Sequence, residues 1–265
     1  MYDKIKKRIN VGKEVYKMKV LVAGETWIKH IIHIKGFDSF TNSEYGEGIG
    51  WLKNAFEDGN IDMTHIPSHQ VGDLFPTTVA ELNEYDAVLL SDIGSNSMLL
   101  PISTFTDSEI QPNRLELIKE YVENGGGFAM IGGYMSFQGI DCKGQYKDTA
   151  IEEILPVTLM TTDDRAEHPE GVHFTITDEN HPVLTDIPNE WPHFLGYNRL
   201  LAKPDATVIA EHRRHAFMSA MEFGKGRTFA FASDCAPHWG PTEFVEWEHY
   251  NKFWQNVANW LGKKI

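Results

Sequence analysis

The sequence predicts an α/β fold built on a doubly wound, mostly parallel sheet, and three observations predict it. Apolar runs of strand length alternate with amphipathic stretches of helical period: strand, helix, strand, helix, strand, helix, strand. The runs Ala87-Val88-Leu89-Leu90 and Phe128-Ala129-Met130-Ile131 are continuously apolar, as strands covered on both faces must be. Each run then gives way to glycine, hydroxyl, acidic or aromatic residues. In an open parallel sheet such residues stand at the carboxyl ends of the strands, where ligands bind.

Taken in order, Lys19–Gly24 is the first strand, and Glu25, Thr26 and Trp27 follow at its carboxyl end. His30 and His33 lie among isoleucines, a setting that favours packing or surface roles over metal ligation. Glu44–Asp58 carries Ile49, Leu52 and Phe56 at helical spacing, and Gly59 can end that helix. Ile61–Ile66 is polar at alternate positions, which suits a strand near the sheet edge. A short helix at Thr77–Asn83 leads into the strand Tyr85–Asp92. Pro112 opens a helix with Leu115, Ile118 and Val122 on one face.

That helix runs into Gly125-Gly126-Gly127, which can stop it because glycine accepts positive φ without a Cβ clash. Beyond the strand Phe128–Ile131, Gly132-Gly133 allows a sharp turn and close approach of another group. Residues 139–214 are less regular. Asp148–Ile154 reads as a short helix capped by Asp148, Thr161–Gly171 as an exposed loop, and the whole region as an elaboration with added antiparallel strands. Ala216–Phe223 and Arg227–Ser233 flank Gly224-Lys225-Gly226, a hairpin signal. Phe244–Leu261 is the closing helix, with Trp247, Phe253, Trp254, Val257 and Trp260 reading as core.

The 265 residues suit one large domain, here residues 18–265, and 42% apolar content supplies a sizeable core. A net charge of −14 argues against nucleic acid and anionic membrane surfaces as partners. No run approaches the ~20 apolar residues that span a bilayer. Residues 1–17 hold six basic and two acidic residues without an apolar core, so they read as a loose leader or start-site artefact rather than a secretory signal. Two cysteines make no disulfide framework, and a cytoplasmic setting is the simplest.

Four clusters at strand ends are expected to converge on one pocket: Glu25 to Trp27, Asp92 to Asn96, Gly132 to Phe137, and Asp234 to Trp239. Asp234 can orient or charge His238. Ser136 or Cys235 beside His238 offers a nucleophile, against the blander roles of turn hydroxyl and inert buried thiol. Glu25, Asp92, Ser95, Asn96, Gly132, Gly133 and the rings of Trp27, Tyr134, Phe137 and Trp239 are the expected ligand contacts. Flat aromatic faces of that kind stack on sugars. No spacing here matches a metal signature, and no cofactor is expected.

The stretches GGGFAMIGGYMSFQG, HPVL and GKGRTFAFASDCAPHW, with the tryptophan-rich last helix, resemble the glutamine amidotransferase-like family of bacterial cytoplasmic proteins. More distantly the chain is similar to the ThuA-like trehalose-utilisation family. The resemblance spans about residues 18–261 and implies the flavodoxin-like, class I glutamine amidotransferase-like fold. It also implies a small polar metabolite as partner, such as a sugar derivative, and a homo-oligomer. Class I amidotransferases carry a cysteine in a strained GxCxG turn after the central strand, where its thiolate attacks a carboxamide. This chain has Gly132-Gly133-Tyr134 there, and Asp234 with His238 does not reproduce the usual His-x-Glu pair. The resemblance therefore implies the fold without the ordinary glutaminase nucleophile.

Overall fold

The computed structural model describes residues 17–265; the expected basic leader lies, but for Lys17, outside the described residues. The first half of the chain contributes the strands β1 (Lys19–Gly24), β2 (Thr26–Lys35), β3 (Asp38–Glu47), β4 (Asp62–Ile66), β5 (Ala87–Ser91) and β6 (Gly127–Ile131). Its helices are α1 (Gly50–Asp58), α2 (Val71–Leu74), α3 (Val79–Leu82), α4 (Ser95–Leu99), α5 (Ile102–Asp107) and α6 (Arg114–Glu123). The second half opens with α7 (Ala150–Ile154) and adds β7 (Val157–Thr158), β8 (Arg165–Val172), β9 (Thr175–Ile176), β10 (Phe194–Asn198) and β11 (Leu201–Ala202). It closes with β12 (Thr207–His212), β13 (His215–Phe223), β14 (Gly226–Phe231), α8 (Thr242–Val245) and α9 (Tyr250–Leu261).

Eight strands form the main sheet in the order β4-β1-β5-β6-β14-β13-β12-β9. The pairs β4·β1, β1·β5, β5·β6 and β6·β14 are parallel, and the remaining three pairs are antiparallel. Every residue of β5 and β6 is buried, which is why those sequences are apolar up to the closing Ser91 of β5. The alternating β4 is the edge strand, where one side of each pleat meets water. Helix α9 lies across the sheet with Phe253, Trp254, Val257 and Leu261 fully buried. Gln255 Nε2 donates to Ala55 O of α1 at 2.9 Å.

Four local readings need correction. Residues 26–47 are a β-hairpin, β2 against β3 in register from Thr26↔Glu47 to Lys35↔Asp38, so the helix expected from Glu44 begins only at Gly50. The two-residue turn Gly36-Phe37 closes this ribbon, with Gly36 at φ +64°. The loop expected at Thr161–Gly171 contains β8, which pairs with β10. Asp148 does not cap α7; it sits at φ +59°, and Thr149 is the N-cap residue. The closing helix is broken in two, because α8 ends at Val245 and α9 starts at Tyr250.

His30 and His33 point to opposite faces of the ribbon, as residues three apart on a strand must. His30 Nδ1 bonds Ser43 Oγ at 2.8 Å, and His33 Nε2 bonds Asn42 Oδ1 at 2.9 Å.

Candidate functional site

A pocket of about 260 Å³ opens at the carboxyl ends of the parallel strands, lined by Glu25, Trp27, Lys29, Asp92, Tyr134, Asp234, Pro237 and His238. Its acidic side chains follow three different strands: Glu25 leaves β1, Asp92 leaves β5, and Asp234 follows β14. Glu25 and Asp92 have φ of +55° and +42°, a region that costs non-glycine residues conformational energy. Hydrogen bonds hold both. Glu25 N donates to Ser91 O at 2.8 Å, and Asp92 Oδ1 accepts from Met135 N at 2.7 Å.

Glu25 is buried, and its Oε2 accepts from Ser91 Oγ at 2.5 Å. The Cys235 thiol lies 3.8 Å from the same oxygen. Burial, then the neighbouring Asp234 and Asp92, push the Glu25 carboxyl well above its usual range. Asp234 is raised well above its own range by burial and by Asp92. Burial also lifts Asp92, while the Met135 amide and His238 oppose the rise. Three acids crowded in this way favour protonated forms, so the pocket can donate protons as well as accept them.

Asp234 Oδ1 accepts from Ala236 N at 3.0 Å, and Oδ2 stands 3.8 Å from Nδ1 of His238. The imidazole is partly exposed and packs edge-on against Tyr134, centroids 4.3 Å apart. Tyr134 and Trp239 are fixed from behind by one carboxylate: Glu167 accepts from the Tyr134 hydroxyl and from Trp239 Nε1, each at 2.9 Å. Arg165 lies over the Tyr134 ring at 4.6 Å.

The turn after β6 has no room for side chains. A Cβ at Gly132 would stand 2.3 Å from Ala232 O, and one at Gly133 (φ +151°) would stand 2.7 Å from Asp92 Oδ1. Asn198 braces this turn, its Oδ1 accepting from Gly133 N at 3.1 Å and its Nδ2 donating to Gly133 O at 3.2 Å. Buried Asp164 completes the brace, accepting from Asn198 Nδ2, Gln138 N and Gly139 N at 2.8 to 3.0 Å. Burial raises the Asp164 carboxyl, and those three donors oppose the rise.

Of the residues singled out from the sequence, Glu25, Trp27, Asp92, Tyr134, Asp234 and His238 line the pocket. Gly132, Gly133 and Trp239 support it from behind. Ser136 does not face it: the hydroxyl is buried, donates to Ile131 O at 2.5 Å and accepts from Asp92 N at 3.1 Å. Cys235 is buried as well, and desolvation followed by Glu25 and Asp234 pushes its thiol well up, away from a nucleophilic thiolate. Ser95 and Asn96 turn to Gln145 instead, and Phe137 is fully buried in the core.

Glu25, Asp234 and Cys235 bring ligand atoms within 4.8 Å of one another. A buried thiol held protonated between two raised carboxyls suits shared protons better than a cation. Sequence reasoning missed Lys29, Arg165 and Glu167. Lys29 had a signal, since alternation along a strand puts it on the same face as Trp27.

A family model described as "Putative glutamine amidotransferase" matches residues 19–263. Among solved structures, the cytoplasmic protein STM3548 of Salmonella typhimurium is 45% identical, with a TM-score of 0.89 over 92% of this chain and 99% of that one. The cytoplasmic protein STM1381 of Salmonella typhimurium LT2 is 46% identical, with a TM-score of 0.88 over the same shares. A ThuA-like protein of Parabacteroides merdae shares the fold at 12% identity, with a TM-score of 0.56 over 94% of this chain and 91% of that one. No curated protein matches.

Proposed function

Starting from a chain that belongs to the "Putative glutamine amidotransferase" family, we propose that it binds a small, neutral, polyhydroxylated metabolite and supports acid–base chemistry on it, without glutamine hydrolysis. The observation that carries this reading is the convergence of Glu25, Asp92 and Asp234 on one pocket beside aromatic rings. Carboxyl groups, protonated or not, match the paired donor and acceptor of a hydroxyl group. The faces of Trp27 and Tyr134 suit the C–H faces of a sugar ring. Any of the three acids that is ionised repels a phosphorylated or otherwise strongly anionic ligand.

In this reading a protonated carboxyl donates to the reacting oxygen and His238, beside Asp234, takes up a proton. A non-catalytic binding module is the second reading. It is favoured by the 3.8 Å between His238 Nδ1 and Asp234 Oδ2, longer than a hydrogen bond. The cytoplasm is the compartment named for both Salmonella relatives, and we extend it to this protein.

The test is a thermal-shift and calorimetric panel of neutral sugars, polyols, sugar phosphates and amino acids. A neutral polyol or sugar should raise the melting temperature, and Asp92→Asn should weaken its binding by about tenfold or more, the scale of a hydrogen bond to a charged group. Binding confined to phosphorylated compounds, or unaffected by Asp92→Asn, would refute the reading.

A further inference from the structure

The β2–β3 ribbon leaves the body as a bare arm. Ten residues per strand at ~3.4 Å each give a length of roughly 34 Å. Its outer part is open to water: Ile32 is 67% and Ile34 75% exposed, and Phe37 at the tip is fully exposed. A two-stranded ribbon with both faces wet is marginal on its own and needs something packed on it.

One face says what kind of cover it takes. Ile28, His30, Ile32 and Ile34 alternate onto it, and their partners across the ribbon are Tyr45, Ser43, Thr41 and Ser39. Glu47, opposite Thr26 at the root, is on that face, but from Ile28 outward no Lys, Arg, Asp or Glu stands on it. The opposite face carries Lys29, Lys35, Asp38 and Glu44. A second apolar surface lies on the body. Pro101 lies close to Gly72 of α2, so α2 meets the chain at the start of α5, and Leu74, Leu100, Ile102 and Phe105 of these segments are all exposed, with Phe105 at 73%.

We propose that this face of the arm, charge-free from Ile28 outward, seats on the Leu74–Phe105 surface of a second copy of this chain, reciprocally about a two-fold axis. The chain carries both halves of the contact, and a two-fold axis uses each of them twice. One ribbon face covers roughly 340 Å² for two strands ~4.8 Å apart. Arm and body surface on both copies then bury roughly 1,400 Å², the size of a standard stable interface. Charge points the same way. Each copy carries −14, so an interface between two of them must exclude like charges, and this face does so beyond Glu47 at its root. A basic partner would call for acidic residues here. The contact would also set the pocket, because Trp27 and Lys29 at the root of the arm line it.

Sedimentation velocity at micromolar concentration tests this. The wild-type chain should sediment as a dimer. Ile32→Asp with Ile34→Asp, and separately Phe105→Asp, should each weaken dimerisation at least 100-fold while near-UV circular dichroism stays native-like. To fix which surfaces meet, Ile34→Cys and Phe105→Cys variants, both in a Cys142→Ser background, are mixed and treated with a short bismaleimide. A two-chain product should form in the mixture well above either variant alone. A monomeric wild type overturns the proposal, whether or not it binds lipid vesicles or another protein. So does a dimer indifferent to both sets of substitutions. Efficient cross-linking within a single chain carrying both cysteines, at nanomolar concentration, overturns it as well, because the arm would then lie on its own body.

Discussion

Glu25 shows how strongly one position is shaped by its neighbours. Its backbone is left-handed, its side chain is enclosed, and Gly48 leaves the space: a Cβ there would fall 2.6 Å from Glu25 Oε1. Because its folded pKa is raised, the native state holds a proton that the unfolded chain loses near the ordinary value of 4.5. The stability this supplies is whole below that pH and is lost as pH rises toward the folded pKa. Glu25→Gln should therefore gain stability relative to wild type from about pH 4.5 upward, at up to ~1.4 kcal/mol per pH unit. Urea melts at several pH values would read this directly, and parallel curves for the two proteins would refute it. His238→Ala should behave differently. With 42% of its side chain exposed it fills little core, so melting should barely move while ligand affinity falls about tenfold. A loss of stability without a loss of affinity would make His238 scaffold. The acids of the pocket were legible because each stands just past an apolar strand. Ser136 was not, because nothing in a sequence tells whether a hydroxyl turns outward or back to Ile131 O.

At the scale of elements, β1, β5, β6 and β14 were readable as strands because their apolar runs are continuous. The arm is not legible as a hairpin. Its isoleucines and histidines mimic no single period clearly, and only Gly36 between two alternating runs marked the turn. Strand β8 was hidden by its composition, since RAEHPEGV reads as a solvated loop. It supplies Arg165 and Glu167 to the back of the site, and Asp164 immediately before it braces the β6 turn. Asp164→Ala removes the acceptor of three buried donors. It should cost about 3 kcal/mol or more, or roughly 6–12 °C in Tm for a chain of this size. Calorimetry checks this, and a change under 2 °C would mean that water replaces the carboxylate without loss.

For the whole molecule, the turn after β6 is where the resemblance places an amidotransferase nucleophile, and this chain has Gly132-Gly133 there. No thiol can be put back there by a single substitution at Gly132, since any Cβ meets Ala232 O. Ammonia release from glutamine should be absent, and Gly132→Cys should lower stability without creating it. Coupled ammonia detection on both proteins decides the matter, and turnover by either would sink the prediction.

The position of β14 has a consequence for how this protein is made. It lies between β6 and β13, in the middle of the sheet, yet it comes from residues 226–231 of 265. The helix that clamps that region to α1 comes later still. On a ribosome, the parallel half waits with an open edge at β6 until residues 226–231 have emerged, long after β6 itself. Contacts this distant in sequence form slowly, and an uncovered strand edge is what chaperones and aggregation compete for. Nascent chains stopped before Tyr250 should remain protease-sensitive, and native protection should arrive only once α9 has emerged.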